Sequence, residues 1–388
     1  MKIVYISPST LPSRTANSIH VVMQCAGLVN AGAEVKLFAK RSVCDEHDLE
    51  TELEKAYGRE VLTFDLKTYY SKTSKADSLK IAFVSLTNIF RNPWPDCILS
   101  RNLYAAFIIG VLMKRKIIFE THQLEYGFRK KMQFMIMRSS KVTTITISQK
   151  LVECLEEHHG KGPLNSLVLH DAAPDGIQPL AIEKRRASIA RIVQNANNNW
   201  EAVCGYFGHL YEGRGIEVID GLAKCRPDAL FLVFGGNESD IEERKRNNQL
   251  KNVVYAGHLP YPEAQEAMRS VDVLLMPYQR TVSIGVAQHD TARWMSPMKM
   301  FEYLASGVPI ISSDLPVLRE VLKDKVNCLL VDPENVDDWL NALGSLIENP
   351  DFSANLGKQG HIDYSSEHTW YQRGKRIIDS CVQVNRVE

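Results

Sequence analysis

The chain has eight cysteines, scattered at 25, 44, 97, 154, 204, 225, 328 and 381, and no two are spaced C-x-x-C. Nothing in that spacing asks for pairing, so they read as reduced, mostly core residues of a cytoplasmic protein. An excess of one charge is also lacking. Lys+Arg and Asp+Glu each total 46, which weighs against bulk nucleic-acid binding, because that needs a strong positive field. The longest apolar run, Leu103 to Met113, is eleven residues, too short to span a bilayer and suited to a buried helix. The opening MKIVYIS reads as a strand rather than a secretory leader. No G-x-G-x-x-G follows any predicted strand, which argues against a nicotinamide or flavin enzyme. The P-loop, H-E-x-x-H and D-x-D patterns are missing too, so a metal-bridged diphosphate has no visible ligand set.

What is present is an alternation. At 388 residues there is material for two domains or one large one. In the first half, apolar runs at 2–7, 34–40, 61–66, 96–100, 116–121, 141–148 and 166–171 read as strands. Helical stretches near 18–31, 46–57, 75–90, 103–114, 125–139 and 148–158 separate them. Strands this apolar, alternating with helices, predict a parallel sheet covered on both faces. The pattern restarts at 202–208 and continues through 229–235, 253–257, 271–277, 308–314 and 327–332. Between the two series, 172–200 has the polar, breaker-rich composition of a connection. The expectation is an α/β chain of two Rossmann-like units in tandem, 1–175 and 176–365. The last segment, 366–388, forms a helix that could pack back on the first unit. Parallel sheets bind ligands at the carboxyl ends of their strands, so two facing sheets would line a cleft with their strand-end loops.

Residues 294–320, WMSPMKMFEYLASGVPIISSDLPVLRE, carry the strongest signal. Ser296 can cap a helix and Pro297 fits its first turn, where a missing N–H costs nothing. Lys299 and Glu302 fall three apart on one helical face. The helix ends at Ser306-Gly307, and VPIIS follows as a buried strand. A helix N-terminus with a cation and a carboxylate nearby suits a phosphorylated, hydroxyl-rich ligand. GYFGHLYEGRGIEVID (205–220) is a strand, a glycine turn and a helix opening. Gly208 and Gly215 permit close backbone approach, and Arg214 can clamp a phosphate bidentately. FETHQLEYG (119–127) sets His122 just past a strand, where it could bind sugar hydroxyls or move a proton. The glycine-free loop before the first helix offers Asn17 or Ser18 as caps and weak acceptor-side contacts, while His20 reads as packing. YGFRKKMQFMIMRSSK (126–141) mixes cations with a Met/Phe/Ile face. It could rest on an anionic membrane surface, or pack its Met-rich side inward.

Together these segments resemble the retaining nucleotide-sugar glycosyltransferases of glycosyltransferase family 4, with the two-domain GT-B fold. The resemblance runs over essentially the whole chain, and its specific part is S-P-M-K-M-F-E-Y-L-A-S-G-V-P, supported by G-H-L-Y-E-G-R-G and E-T-H. It implies that Glu302, the second glutamate of the family motif, holds the ribose hydroxyls of the donor. Trp294 stands where the first would be, as in a subgroup with S-P-x-K-x-F-E-Y. Arg214 matches the family's basic residue for the donor diphosphate. His209 falls where many members carry another arginine, and Lys299 is the natural replacement cation. Ser296, Pro297 and Met298 match the turn approaching the donor, His122 the histidine facing the transferred sugar, and Glu320 a later glutamate.

The implied chemistry is transfer of a hexosyl or related sugar from a UDP- or GDP-type donor to a hydroxyl, with retained configuration. Arg214, Lys299 and the helix N-terminus would stabilise the leaving diphosphate without a metal or other cofactor. The acceptor would belong to polysaccharide, lipopolysaccharide or glycoconjugate synthesis, with the protein in the cytoplasm or peripheral at the inner membrane surface. No nucleic acid is expected as a partner. A nucleotide-sugar epimerase of the same fold and a non-catalytic nucleotide-sugar-binding subunit are the rival expectations.

Overall fold

The computed structural model describes residues 1–13, 15–42, 46–70, 77–193, 199–282 and 290–386. Internal packing divides the chain into two units, Met1–Ala172 with Thr369–Glu388, and Ala173–His368. Each is built on one parallel sheet.

The first sheet holds β1 (Lys2–Leu11), β2 (Glu34–Arg41), β3 (Asp65–Tyr70), β4 (Cys97–Ser100), β5 (Ile117–Thr121), β6 (Val142–Thr146) and β7 (Ser166–Val168), in the order β3-β2-β1-β4-β5-β6-β7. Alternate residues feed its two faces. Ile3 and Tyr5 enter one apolar cluster, Val4 and Ile6 the other. This period-two division explains why the central strands are apolar on both sides.

The second sheet holds β8 (Val203–Phe207), β9 (Leu230–Phe234), β10 (Val253–Gly257), β11 (Val273–Met276), β12 (Ile310–Ser313) and β13 (Leu329–Val331), in the order β10-β9-β8-β11-β12-β13. Along β9, Leu230, Leu232 and Phe234 pack on one face, Phe231 and Val233 on the other. In both sheets the strand order reverses beside the first strand, between β1 and β4 and between β8 and β11. Such a reversal leaves a crevice at the carboxyl ends of the two strands, where this class of sheet binds ligands.

Several expectations need correcting. The third strand is DLKTYY at 65–70, not the apolar run at 61–66. It lies at the sheet edge and only part of it is buried, so its composition alternates and the more apolar neighbour misled the reading. The stretch 172–200 is not all connection, because Ile182–Ile192 is a helix that buries Arg185, Ser188 and Ile189. Residues 194–198 of that stretch, and 75–76 of the predicted third helix, lie outside the described residues. The cysteines are not all reduced. Cys97 on β4 and Cys381 form a disulfide, their Cα atoms 6.0 Å apart, across a sequence separation of 284. No local spacing announces a pair that distant. Cys44 lies outside the described residues.

The last helix, Trp370–Arg386, packs against the helix Ala16–Asn30 in the first unit. Among the described residues no helix is long and apolar enough to cross a membrane.

Candidate functional site

The second unit gathers cations at its switch point. After β8 the chain turns at Gly208 and then through Gly213-Arg214-Gly215 into the helix Ile216–Cys225. Gly213 (φ 79) and Gly215 (φ 78) are left-handed, and a Cβ on them would strike the carbonyls of Thr281 and Pro277. Only glycine fits on both sides of Arg214, so the backbone presses it against the end of β11. There the Arg214 Nη1 donates to the Tyr278 hydroxyl at 3.2 Å, and its guanidinium lies 5.3 Å from the Tyr278 ring centre.

Lys299 reaches the same aromatic surface from the first turn of the helix Met298–Ser306. Its Nζ lies 4.4 Å from the ring centres of both Tyr206 and Tyr278. Burial holds the Lys299 ammonium well below its usual value, and repulsion from Arg214 adds to this, against attraction by Glu302. Two cations facing the same tyrosine are a costly arrangement that an anion would relieve. Gly208 lies against this pair, since a Cβ there would be 3.2 Å from the Tyr206 hydroxyl and 3.4 Å from the Lys299 Nζ.

Glu302, one turn along the same helix, is buried and accepts a hydrogen bond from the Tyr261 hydroxyl at 2.7 Å. His209 stacks on Tyr211, ring centres 4.8 Å apart and planes at 3°. Desolvation, Arg214 and Lys299 all hold its imidazole below the ordinary value. Ser296 is buried. It is not the N-cap of the helix Met298–Ser306, because Pro297 occupies that position, and Pro297 has no side-chain acceptor to offer. The first N–H groups of that helix therefore have no side-chain acceptor from the cap. Glu320 sits in a single 3-10 turn, Leu318–Glu320, rather than at the opening of a longer helix.

His122 and the acceptor-side residues belong to the first unit. The cap of the helix Ala16–Asn30 is Thr15, so Asn17 and Ser18 are first-turn residues and not caps. Asn17 donates to the Ser9 hydroxyl at 2.7 Å and Ser18 to the Thr10 carbonyl at 2.9 Å, which ties the loop to β1. His122 follows β5, with its Nε2 2.8 Å from the Glu120 carboxylate. Burial and Arg101 push its imidazole down to about 4, against the pull of Glu120. Segment 126–141 holds the helix Gly127–Met137, which buries Met132, Gln133, Ile136 and Met137. Tyr126, Phe128 and Met135 stay exposed.

Sequence reasoning missed Tyr206, Tyr261 and Tyr278. Tyr278 was within reach, because it lies two residues past the strand at the switch point. His20, read as packing, is buried with its ring edge-on to Trp370, and its Nε2 is also hydrogen-bonded to the same carboxylate as His122.

Two parallel-sheet α/β units of this topology define the GT-B fold, shared with the structure of Anabaena HepE in complex with UDP-glucose. That likeness has a TM-score of 0.71 at 14% identity and covers 99% of this chain and 100% of the other. Residues 201–349, which contain Arg214, Lys299 and Glu302, match the family model described as Glycosyl transferases group 1. The GDP-mannose-dependent monoacylated alpha-(1-6)-phosphatidylinositol monomannoside mannosyltransferase of Corynebacterium glutamicum is 25% identical over 165 residues, 42% of each protein. The phosphatidyl-myo-inositol mannosyltransferase of Mycobacterium leprae is 24% identical over 134 residues, 34% of this chain and 33% of that protein. The matches thus span 33% and 42% of the length of these curated relatives. The family match and both curated likenesses are to glycosyltransferases, and the structural likeness shows the fold alone.

Proposed function

We propose that this chain is a retaining glycosyltransferase of the family 4 type that moves a sugar from a nucleoside-diphosphate sugar to a hydroxyl acceptor. The observation that carries this is the meeting of Arg214 and Lys299 at Tyr278, beside the carboxyl ends of β8 and β11. Two part-buried cations beside a helix N-terminus suit a diphosphate, and they supply the charge that a metal would otherwise bring to the leaving group. Glu302 is the residue we assign to the donor ribose, and His122 in the first unit to the transferred sugar. Gly208, His209, Ser296, Pro297, Met298 and Glu320 are the remaining donor-side candidates. Polysaccharide, lipopolysaccharide or other glycoconjugate synthesis is the setting we infer.

The test is a thermal-shift panel with UDP-glucose and GDP-mannose, followed by assay of nucleoside diphosphate release. A donor at about a hundred times its Kd should add roughly 2.7 kcal/mol of stability. The reading expects a shift with one of the two and release of its nucleotide. No shift with either, or isomerisation of the sugar without release, would overturn it.

A peripheral contact with anionic lipid is also part of this reading. It is supported by exposed Tyr126 and Phe128 next to Lys130 and Lys131 on the helix Gly127–Met137. Such a helix face binds by apolar insertion plus charge attraction. The protein should co-sediment with phosphatidylglycerol vesicles but not with phosphatidylcholine ones, and Phe128→Ser should weaken the binding several-fold. Equal sedimentation with both lipids would remove this contact from the reading.

A further inference from the structure

Glu120 is buried on β5, and three donors converge on one of its oxygens. His122 Nε2 lies 2.8 Å from Oε1, His20 Nε2 3.0 Å, and Arg373 Nη2 2.9 Å. The other oxygen accepts from the Tyr5 hydroxyl at 3.3 Å. On its far side, His20 Nδ1 lies 2.9 Å from Asp171. Arg373 belongs to the last helix, and its guanidinium also bonds Gln24 and the carbonyl of His170. The side chains of Glu120 and Arg373 are 0% and 3% exposed, whereas His122 is 20% exposed. The chain of contacts thus ends at a residue that solvent or a ligand can reach.

His20, Glu120 and His122 are spaced closely enough to hold a cation. The Arg373 guanidinium already supplies the positive charge at the shared oxygen, so a divalent ion would have to displace it or sit against it. A different role fits this arrangement. An ionised carboxylate only accepts hydrogen bonds, so a ring nitrogen facing it must carry hydrogen. That makes Nε2 of His122 the N–H and Nδ1 the basic nitrogen.

We propose that Glu120, clamped by Arg373 and His20, is a positioning residue that fixes His122 as the Nε2–H tautomer with Nδ1 as its acceptor nitrogen. The inference rests on the transferase reading only for its effect on turnover. The low proton affinity of His122 fits it, because a neutral imidazole is the form that has a tautomer to fix. The carboxylate itself stays ionised despite burial, held well below its usual range chiefly by Arg373 and then His20.

The test reads the tautomer directly. The ring nitrogens of the protein are labelled with 15N, and the His122 signals are assigned by their loss in His122→Asn. The Nε2–H form is expected in the unaltered protein, and the Nδ1–H form would overturn the proposal. Glu120→Met should lose the preference and lower nucleotide release from the responding donor by about tenfold or more, with its KM unchanged. Glu120→Gln keeps an acceptor oxygen for the three donors and should recover most of that loss. Unchanged release in a folded Glu120→Met protein would also overturn the proposal. If that variant does not fold, the tautomer of the unaltered protein decides. An Nε2–H tautomer in a protein that neither binds nor cleaves UDP-glucose or GDP-mannose would sink the transferase reading and leave the tautomer assignment standing.

Discussion

Replacing Arg214 or Lys299 with alanine is expected to cut turnover of the responding donor by about a hundredfold or more while leaving the protein folded. The magnitude follows from removing one preorganised charge at a developing anion, about 3 kcal/mol of transition-state stabilisation. The two residues should differ in stability. Lys299 is held between two tyrosine rings, with burial and Arg214 both disfavouring its charge. Removing it relieves that cost, so the Lys299→Ala protein should melt no lower than the parent, as expected where a site stores strain for function. The same environment gives a pH signature. An ammonium whose proton is held weakly is lost early as pH rises, so donor affinity should fall with rising pH well below the range of an ordinary lysine. A bound diphosphate would oppose that loss. The slope should vanish in Lys299→Ala. Near-normal kcat/KM in both alanine variants would remove these residues from the chemistry.

Glu302→Ala should abolish the thermal shift produced by the donor, the second large effect. Glu302 is buried and accepts from the Tyr261 hydroxyl. Deleting it leaves that hydroxyl without its acceptor, at a cost of about 1–3 kcal/mol. The absolute melting temperature will therefore fall whatever the ligand does, and the comparison must be the increment on adding nucleotide. Tyr261→Phe separates the two effects. It removes the hydrogen bond but keeps the carboxylate, and the nucleotide increment should survive in it. A full increment in Glu302→Ala would show that the carboxylate does not hold the nucleotide.

Much of this architecture was legible because its signals are local. Apolar runs marked twelve of the thirteen strands among the described residues, and Ser306-Gly307 marked the end of the helix that carries Lys299 and Glu302. The failures share a cause. The edge strand 65–70 has one side in water, so its apolar content is lower than that of the loop before it. Helix Ile182–Ile192 is rich in charge and rests on few buried residues. The tyrosines around Lys299 come from β8 and from the loop after β11; only the position of Tyr278 just past the switch-point strand marks it, and Tyr206 has no such signal. Glu120 and Arg373 are 253 residues apart, a distance over which one sequence carries no visible coupling.

The order of the chain has a consequence for how the protein is made. The first unit is discontinuous: the whole of the second unit lies between Ala172 and Thr369. A ribosome therefore releases every strand of the first sheet long before the helix that completes its core with Ile377 and Cys381. Until then Glu120 lacks the guanidinium of Arg373, and a buried carboxylate without its cation is strongly unfavourable. The inserted unit has all its parts in hand earlier. Synthesis thus favours assembly of the second unit first, with the first unit closing only when the last helix arrives.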